Sequence, residues 1–208
     1  MKKILMILLV LAVVGGTAFA FDAKSHPEPM QKGSFMISPT FGIGTYYYAG
    51  ATLAFTAAFD YALPINFGLT VGGEVGFAMT TYSGWGYGYT YKPFAIPIMA
   101  KVAWHPNFEV KGLDPYVTLK MGFAIGILGC TKKYGSYEAK AASGFAMGWD
   151  VGCRYFFNNS IGVFGELGFD RYWVGIKERT SYAGYDSGWV KWRWPMTTFF
   201  RAGVTFMI

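Results

Sequence analysis

Large apolar residues alternate with small or polar residues along much of the chain. In residues 145–156, FAMGWDVGCRYF, the odd positions hold apolar or aromatic residues, whereas the even positions include Asp150 and Arg154. Successive side chains of a β-strand point to opposite faces, so a period of two indicates a strand. This strand would have one apolar face and one face that carries both charges.

Eight segments of the chain show this alternation, and each is about ten to fourteen residues long. They predict strands at residues 34–44, 51–61, 67–80, 94–104, 117–127, 145–156, 161–173 and 196–208. The connections at one end are residues 62–66, 105–114 and 158–160, and those at the other end are 45–50, 81–92, 129–143 and 175–194. Three of the last four are long. If both chain termini lie in the periplasm, the long connections are extracellular, as is usual in membrane barrels.

The polar face of these strands carries charges that a water-soluble sheet would not place in its core. The charged residues on that face are Glu74, Lys101, Lys120, Asp150, Arg154, Glu166, Asp170 and Arg201. A soluble arrangement would either bury these charges in a dry core or expose the apolar face to water. In a bilayer the apolar face meets lipid and the polar face lines a closed interior, because no sheet edge can stay unpaired there. We therefore predict an all-β, eight-stranded antiparallel up-and-down transmembrane β-barrel over residues 34–208.

The first 20 residues, MKKILMILLVLAVVGGTAFA, have the pattern of a cleaved signal peptide. Lys2 and Lys3 precede an apolar core at residues 4–14, and Ala18-Phe19-Ala20 forms a small-x-small cleavage site. A single transmembrane anchor is the alternative interpretation. Cleavage would leave residues 21–33 as an N-terminal periplasmic tail.

Composition adds little beyond an exported, apolar protein. Aromatic residues make up 20% of the chain and charged residues only 14%, which is too apolar for a disordered protein. Without its two leader lysines the chain has 16 basic residues (18 − 2) against 12 acidic ones, a net charge of +4 instead of +6. This small excess does not suggest nucleic acid as a partner. Cys130 and Cys153 are expected to lie too many ladder steps apart for a disulfide.

At this point the chain resembles the small eight-stranded outer-membrane barrels, such as the OmpA transmembrane domain, OmpX and OmpW. The resemblance is one of pattern and covers residues 34–208. The last residues, FFRAGVTFMI, resemble the C-terminal assembly signal of such barrels, although Ile208 stands where an aromatic residue is usual. The resemblance implies a bacterial outer-membrane location. It also implies outer-membrane lipids and the outer-membrane assembly machinery as partners, the latter through the C-terminal strand.

The inward charges are balanced, with four acidic and four basic residues. We estimate the strand register by placing the turn of each hairpin at the midpoint of its loop. This register brings Glu74 near Lys101, Lys120 near Asp150, and Glu166 near both Arg154 and Arg201. Opposite charges on neighbouring strands attract each other. We therefore predict a neutralised ion-pair network at mid-barrel. It acts either as a plug that fills space or as a gate on a solute path.

Bulky and small residues occupy different levels of the predicted interior. The bulky inward residues lie towards the periplasmic end and are Met36, Tyr116, Phe156, Phe164 and Met207. Mostly small ones lie towards the outer end: Gly42, Gly44, Ala54, Ala78, Ala124, Gly126, Ala146 and Gly148. This asymmetry indicates either a vestibule open to the outside or glycines that allow a narrow barrel to curve.

The outer connections are rich in aromatic and basic residues. Candidate contact residues there are Trp85, Tyr87, Tyr89, Trp189, Lys191, Trp192, Arg193 and Trp194. The alternation in WVKWRWP, residues 189–195, predicts that the last strand extends beyond the membrane and pairs with residues 176–180. Basic residues beside tryptophans suit anionic headgroups or glycans. A simple aromatic girdle is the alternative. Girdle positions are predicted at Tyr61, Phe67, Trp104 and Tyr155 below and at Phe94, Phe145, Trp173 and Trp194 above.

We expect no enzymatic activity, because a hydrolase of outer-leaflet lipid needs a histidine near the outer rim. His26 lies in the predicted tail and His105 in a predicted periplasmic turn. No metal-binding or cofactor-binding motif is present either. Two functions stay open: a structural or surface-interaction protein, as the OmpA and OmpX resemblance implies, and a narrow conduit for small solutes or apolar molecules, as the OmpW resemblance implies. The ligand, whether a small molecule or a surface partner, is not identified.

Overall fold

The computed structural model describes residues 32–46, 50–65, 67–83, 90–106, 110–131, 136–182, 185–193 and 196–208. The predicted signal peptide, almost all of the predicted tail and Trp85, Tyr87, Tyr89 and Trp194 lie outside the described residues. Among the described residues, no helix is long and apolar enough to cross a membrane.

Eight long strands form a closed antiparallel barrel. Within the described ranges the strands are β1 (Phe35–Tyr46), β2 (Gly50–Ala62), β3 (Leu69–Ser83), β4 (Thr90–Trp104), β5 (Leu113–Thr131), β6 (Ser136–Lys140), β7 (Ala142–Phe156), β8 (Ile161–Tyr172), β9 (Gly175–Tyr182), β10 (Tyr185–Asp186), β11 (Val190–Arg193) and β12 (Met196–Met207). The order around the barrel is β1-β12-β8-β7-β5-β4-β3-β2, and β12 pairs with β1 to close it. The predicted eight-stranded barrel is confirmed.

The apolar face of the barrel strands is the outer face. Along β2, buried and exposed residues alternate without a break, with Thr52 and Ala54 buried and Leu53 and Phe55 exposed. Outward rings of neighbouring strands also stack on one another. The ring centroids of Phe55 and Phe77 lie 5.1 Å apart, and those of Phe77 and Phe94 lie 5.7 Å apart. An apolar outer wall of this kind suits hydrocarbon and would be costly in water.

A second, smaller sheet continues the barrel wall beyond its long-connection end, which we call the outer end. In this outer sheet β9 pairs with β6 on one side and with β10 and β11 on the other. The pairing of β11 with residues 175–178 agrees in part with the predicted pairing of residues 189–195 with residues 176–180. The sequence analysis missed β6 because its residues, SYEAK, do not alternate between apolar and polar.

The described residues fill the outer part of the lumen, so the open vestibule, one of the two interpretations of the small inward residues, is wrong. Tyr172, Val174, Ile176 and Phe199 are each at most 2% exposed and pack against the small inward residues. A Cβ atom at Gly126 would lie 2.7 Å from Val174 Cγ1 and 3.1 Å from Ile176 Cδ1, so the glycine makes room for these two side chains. The small residues therefore leave space for bulky side chains from other parts of the barrel and the outer sheet. We call this layer the apolar cap.

Cys130 and Cys153 form no disulfide with each other. Cys130 is opposite Tyr91 at the outer end of β5, and Cys153 is opposite Pro115 near the start of the same strand. The two residues therefore lie near opposite ends of the barrel. This agrees with the expectation of no disulfide.

The substitution Gly126→Val should loosen the outer sheet without opening the barrel. The new side chain overlaps Val174 and Ile176, and overpacking of this kind costs about 1–3 kcal/mol. We expect trypsin to cut folded protein after Lys177 or Arg179 roughly tenfold faster. The control is Gly165→Val, since a Cβ atom at Gly165 meets only one atom within 4 Å, the Arg201 carbonyl oxygen at 3.9 Å. Equal cleavage rates in both variants would contradict the cap assignment.

Candidate functional sites in the barrel and the outer sheet

Arg201 lies at the centre of a buried ion-pair cluster. Its Nη1 atom donates to Asp150 Oδ1 at 2.7 Å and lies 3.5 Å from Glu166 Oε1. Its other terminal nitrogen, Nη2, donates to Asp170. The guanidinium fork suits this task because it presents several donors in fixed directions. One cation thus holds three carboxylates from two neighbouring strands.

Lys120 shares two of these carboxylates. Its Nζ atom lies 2.9 Å from Asp150 Oδ2 and 3.2 Å from Asp170 Oδ1. It also donates to Glu74 Oε1 at 3.3 Å. Because Asp150 and Asp170 bridge both cations, the cluster ties β3, β5, β7, β8 and β12 together across the lumen.

Glycines give these charges the space to meet. Gly148 separates Lys120 from Asp170 along one rung of the sheet, and a Cβ atom at Gly148 would collide with the Asp170 carboxylate. Gly168 lies opposite Asp150, and a Cβ atom there would lie 3.1 Å from Arg201 Nη1. In a barrel this narrow the interior holds little more than side chains. The cluster can therefore form only because small residues lie beside the charged ones.

Two of the predicted charge pairings are wrong, and the first comes from the register. Glu74 is opposite Met99, not Lys101, and it reaches Lys120 instead. Lys101 is opposite Lys120, and its Nζ donates to Asp60 Oδ2 at 3.0 Å across the intervening Gly72. The proximity of Lys120 to Asp150 and of Glu166 to Arg201 agrees with the prediction.

The second wrong pairing is that of Arg154, which pairs with Asp114 and not with the predicted Glu166. Arg154 Nη1 donates to Asp114 Oδ2 at 3.2 Å and also contacts Met36 Sδ at 3.2 Å. Asp114 is the direct cross-strand neighbour of Arg154, because β5 begins at Leu113, four residues earlier than predicted. The sequence analysis assigned Asp114 to a turn and therefore missed it. Asp60, which lies on the polar face of β2, was also omitted.

Bulky residues surround Arg154 at the short-turn end, at the level where the sequence predicted them. The guanidinium carbon lies 5.0 Å from the ring centroid of Tyr116 and 5.7 Å from that of Phe164. The Tyr116 hydroxyl donates to Glu166 Oε2 at 2.9 Å, which links this layer to the cluster around Arg201. The lower interior is thus packed, like the apolar cap above it.

His105 is buried inside the short-turn end of the barrel, where the sequence predicted a periplasmic turn. Its Nδ1 lies 2.7 Å from Asp114 Oδ1 and its Nε2 lies 3.2 Å from Thr70 Oγ1. Hydroxyl, imidazole and carboxylate thus form a chain that resembles a nucleophilic triad. However, Thr70 is 0% exposed and His105 only 6%. A substrate has no approach to this hydroxyl, so we interpret the chain as structural.

The outer sheet carries a separate set of polar contacts. Arg179 Nε donates to both carboxylate oxygens of Asp186, at 2.9 and 3.0 Å, and Asp186 also accepts a hydrogen bond from the Gly188 backbone N–H at 2.9 Å. These hydrogen bonds, first the one from Arg179, lower the pKa of Asp186 to about 2. On the other face the Tyr137 hydroxyl donates to Glu178 Oε2 at 3.2 Å. Burial is the main cause that raises the pKa of both of these groups.

The predicted contact residues of this region lie on or beside β11. Trp189 is 43% exposed, and Lys140 Nζ lies 4.5 Å from the centre of its ring. Lys191 is exposed and is opposite Lys177. Trp192 and Arg193 pair through their backbones with Ile176 and Gly175. In the ranges that the structure describes, no group of three or more His, Cys, Asp or Glu residues could hold a metal ion.

Solved structures share this architecture. Neisserial surface protein A aligns with 83% of this chain and 95% of its own, at 9% identity and a TM-score of 0.55. OprG from Pseudomonas aeruginosa aligns with 90% of this chain and 99% of its own, at 11% identity and a TM-score of 0.53. A major outer membrane protein from Thermus thermophilus aligns with 84% of this chain and 99% of its own, at 16% identity and a TM-score of 0.57.

The chain has the fold of the small outer-membrane β-barrels. No family model matches the sequence, and no curated protein matches it either. The low identities mean that the common feature is the barrel itself. The apolar outer wall and this fold together identify a membrane-spanning barrel of the bacterial outer-membrane type.

Removal of the Arg201 charge should strongly destabilise the barrel. Arg201→Met leaves Asp150, Asp170 and Glu166 without their shared cation, and breaking a buried ion pair from one side costs roughly 3–5 kcal/mol. We expect a correspondingly lower free energy of unfolding in urea titrations of protein folded into lipid vesicles. Lys101→Met is the matched variant, since it removes one cation from a single pair with Asp60. An equal or larger loss in Lys101→Met would contradict the central position of Arg201.

The Arg179–Asp186 pair should contribute to the acid titration of the outer sheet. Because the folded-state pKa of Asp186 lies below its ordinary value of about 4, the pair stabilises the sheet above that pH. This contribution is lost as the pH falls towards about 2. In Arg179→Gln the pKa of Asp186, followed by the NMR shift of its carboxyl carbon, should rise towards about 4. Lys177→Gln is the control, and an unchanged pKa in Arg179→Gln would refute the assignment.

Proposed function

We propose that this protein is a sealed outer-membrane barrel that acts as a structural and surface-interaction protein. The observation that carries this proposal is the filling of the lumen at three successive levels. The apolar cap, the cluster around Arg201 and Lys120, and the packed layer around Arg154 follow one another from the outer end to the short-turn end. The outer sheet then presents exposed side chains above the membrane.

The ion pairs support a largely neutralised interior. Each of the four inward Lys and Arg residues lies within 3.5 Å of a carboxylate. The described interior holds two further acids, Asp60 and Asp114, beyond the four that the sequence analysis counted, and His105 lies against the second of them. Pairing at this density leaves none of these described cations free to attract a permeating ion. The interior therefore supports a plug better than a gate.

The alternative function is a narrow conduit for small solutes or apolar molecules. A conduit would need side chains of all three levels to move together, including Arg201, which is 1% exposed and contacts three carboxylates. Enzymatic activity is also outside our proposal, since the Thr70–His105–Asp114 chain is enclosed.

The ends of the chain suit export and assembly. We propose that residues 1–20 are removed on export and that β12 engages the assembly machinery before it pairs with β1. The side chain of Ile208 is 80% exposed at the end of this strand, where an aromatic residue is usual in such barrels.

Bilayer recordings test the sealed barrel. We expect protein inserted into a planar bilayer to give no discrete openings, and Glu166→Lys to give none either, because Glu166 belongs to a plug and not to a gate. Heat-modifiable migration on a gel should verify that each sample is folded. Reproducible openings of the folded wild-type protein would contradict the proposal and favour the conduit. A conductance that appears or changes only in Glu166→Lys would point to a gate.

A further inference from the structure

Three lysines lie side by side on one rung of the outer sheet. Lys140 on β6 is opposite Lys177 on β9, and Lys177 is opposite Lys191 on β11. Directly opposed residues of neighbouring strands point to the same face with their Cβ atoms about 5 Å apart, and like charges in these positions repel each other. All three side chains are exposed. We call this set the lysine rung.

The lysine rung faces sideways, towards the lipid, and not upwards from the barrel mouth. Along the continuous path from β8 to β9, Arg171, Trp173 and Lys177 are exposed, whereas Val174 and Ile176 are buried in the apolar cap. Alternation along the strands therefore places Lys177 on the same face as the lipid-facing wall. The rung is a continuation of that wall beyond its last tryptophan.

The height of the rung matches the lipid headgroups. Trp173 is hydrogen-bonded through its backbone N–H to Phe145 at the upper edge of the apolar wall. Strands rise about 3.3 Å per residue, so Lys177 lies roughly 13 Å beyond Trp173 along the strand, and less along the membrane normal because barrel strands are tilted. The headgroup layer on each side of a bilayer is about 5–8 Å thick. Flexible lysine side chains can span the remaining distance.

Two further contacts bring positive charge down towards the bilayer. A Cβ atom at Gly175 would lie 3.0 Å from Lys191 Nζ, so Lys191 lies flat against the wall in the space that this glycine leaves. The Arg171 guanidinium carbon lies 4.8 Å from the ring centroid of Trp173. Arg171 and Lys191 thus place basic groups beside Trp173 and Gly175, respectively, and none of the three lysines forms an ion pair with another described residue.

We propose that the lysine rung binds a phosphate group of an outer-leaflet lipid. A phosphate between these cations removes their mutual repulsion and accepts hydrogen bonds from the ammonium groups. The acyl chains of the same lipid would pack on the wall below, which presents Phe145, Trp173 and Trp149. This goes beyond the proposed function, because the rung binds lipid whether or not the barrel conducts.

Titration of the detergent-purified protein with a diphosphorylated lipid A and with its dephosphorylated form tests this inference. Tryptophan fluorescence is the readout. A basic residue near an anionic surface contributes about 1 kcal/mol, which is about a fivefold change in affinity. We therefore expect Lys140→Gln, Lys177→Gln and Lys191→Gln each to weaken binding of the phosphorylated lipid about fivefold, and the triple variant about a hundredfold. Added salt should weaken wild-type binding as well.

The control is Lys92→Gln, which removes one exposed lysine at the outer end of β4 that is not part of the rung. It should change the affinity by less than about twofold, since this residue lies outside the rung. A triple Lys→Arg variant keeps the charges and should retain binding. Three results would overturn the proposal: equal affinity of the wild-type protein for both lipids, an equal loss in Lys92→Gln, or undiminished binding in the triple glutamine variant. Displacement by inorganic phosphate at the lipid's own concentration would assign the rung to a free anion and would also overturn it.

Discussion

The buried cluster around Arg201 and Lys120 is the interaction on which the rest of this barrel depends. An eight-stranded barrel encloses little more than its own side chains, so inward charges must be satisfied by one another. Asp150 and Asp170 each contact both cations, and this sharing joins strands that are not neighbours. Desolvation offsets much of the attraction between these charges, so the cluster adds less net stability than its number of contacts suggests. Its main effect is to determine which side chains pair inside the barrel.

The cluster also determines where glycine is needed. Gly148 and Gly168 lie between the partners, and Gly72 lets Lys101 reach Asp60 across β3. Above the cluster, Gly126 serves bulky apolar residues in the same way, because Val174 and Ile176 enter from the outer sheet. An inward glycine at these places therefore marks space that another strand fills. It does not indicate an empty cavity.

The sequence was sufficient for the barrel and insufficient for the pairs inside it. Alternation with a period of two predicted the eight strands and the apolar outer wall because that pattern is local. The partner of Arg154 depended on the start of β5, and a shift of four residues moved Asp114 from a turn into the barrel. Lys101 on β4 contacts Asp60 on β2, which is two strands away. The register of a single hairpin cannot predict such a contact. The cap was missed because Val174 and Ile176 lie beyond the end of the predicted seventh strand.

The same alternation that places Val174 and Ile176 inside the barrel also determines which residues the outer surface presents. A strand that buries Val174 and Ile176 in the mouth must present Trp173, Gly175 and Lys177 on its other face. Because β9 continues β8 after only two intervening residues, this outward face keeps the orientation of the lipid-facing wall. The filled lumen and the basic, tryptophan-bearing rim are therefore two consequences of one strand pattern. The exposed cations of the outer sheet therefore lie on the continuation of the apolar wall, outside the lumen, where a partner can reach them.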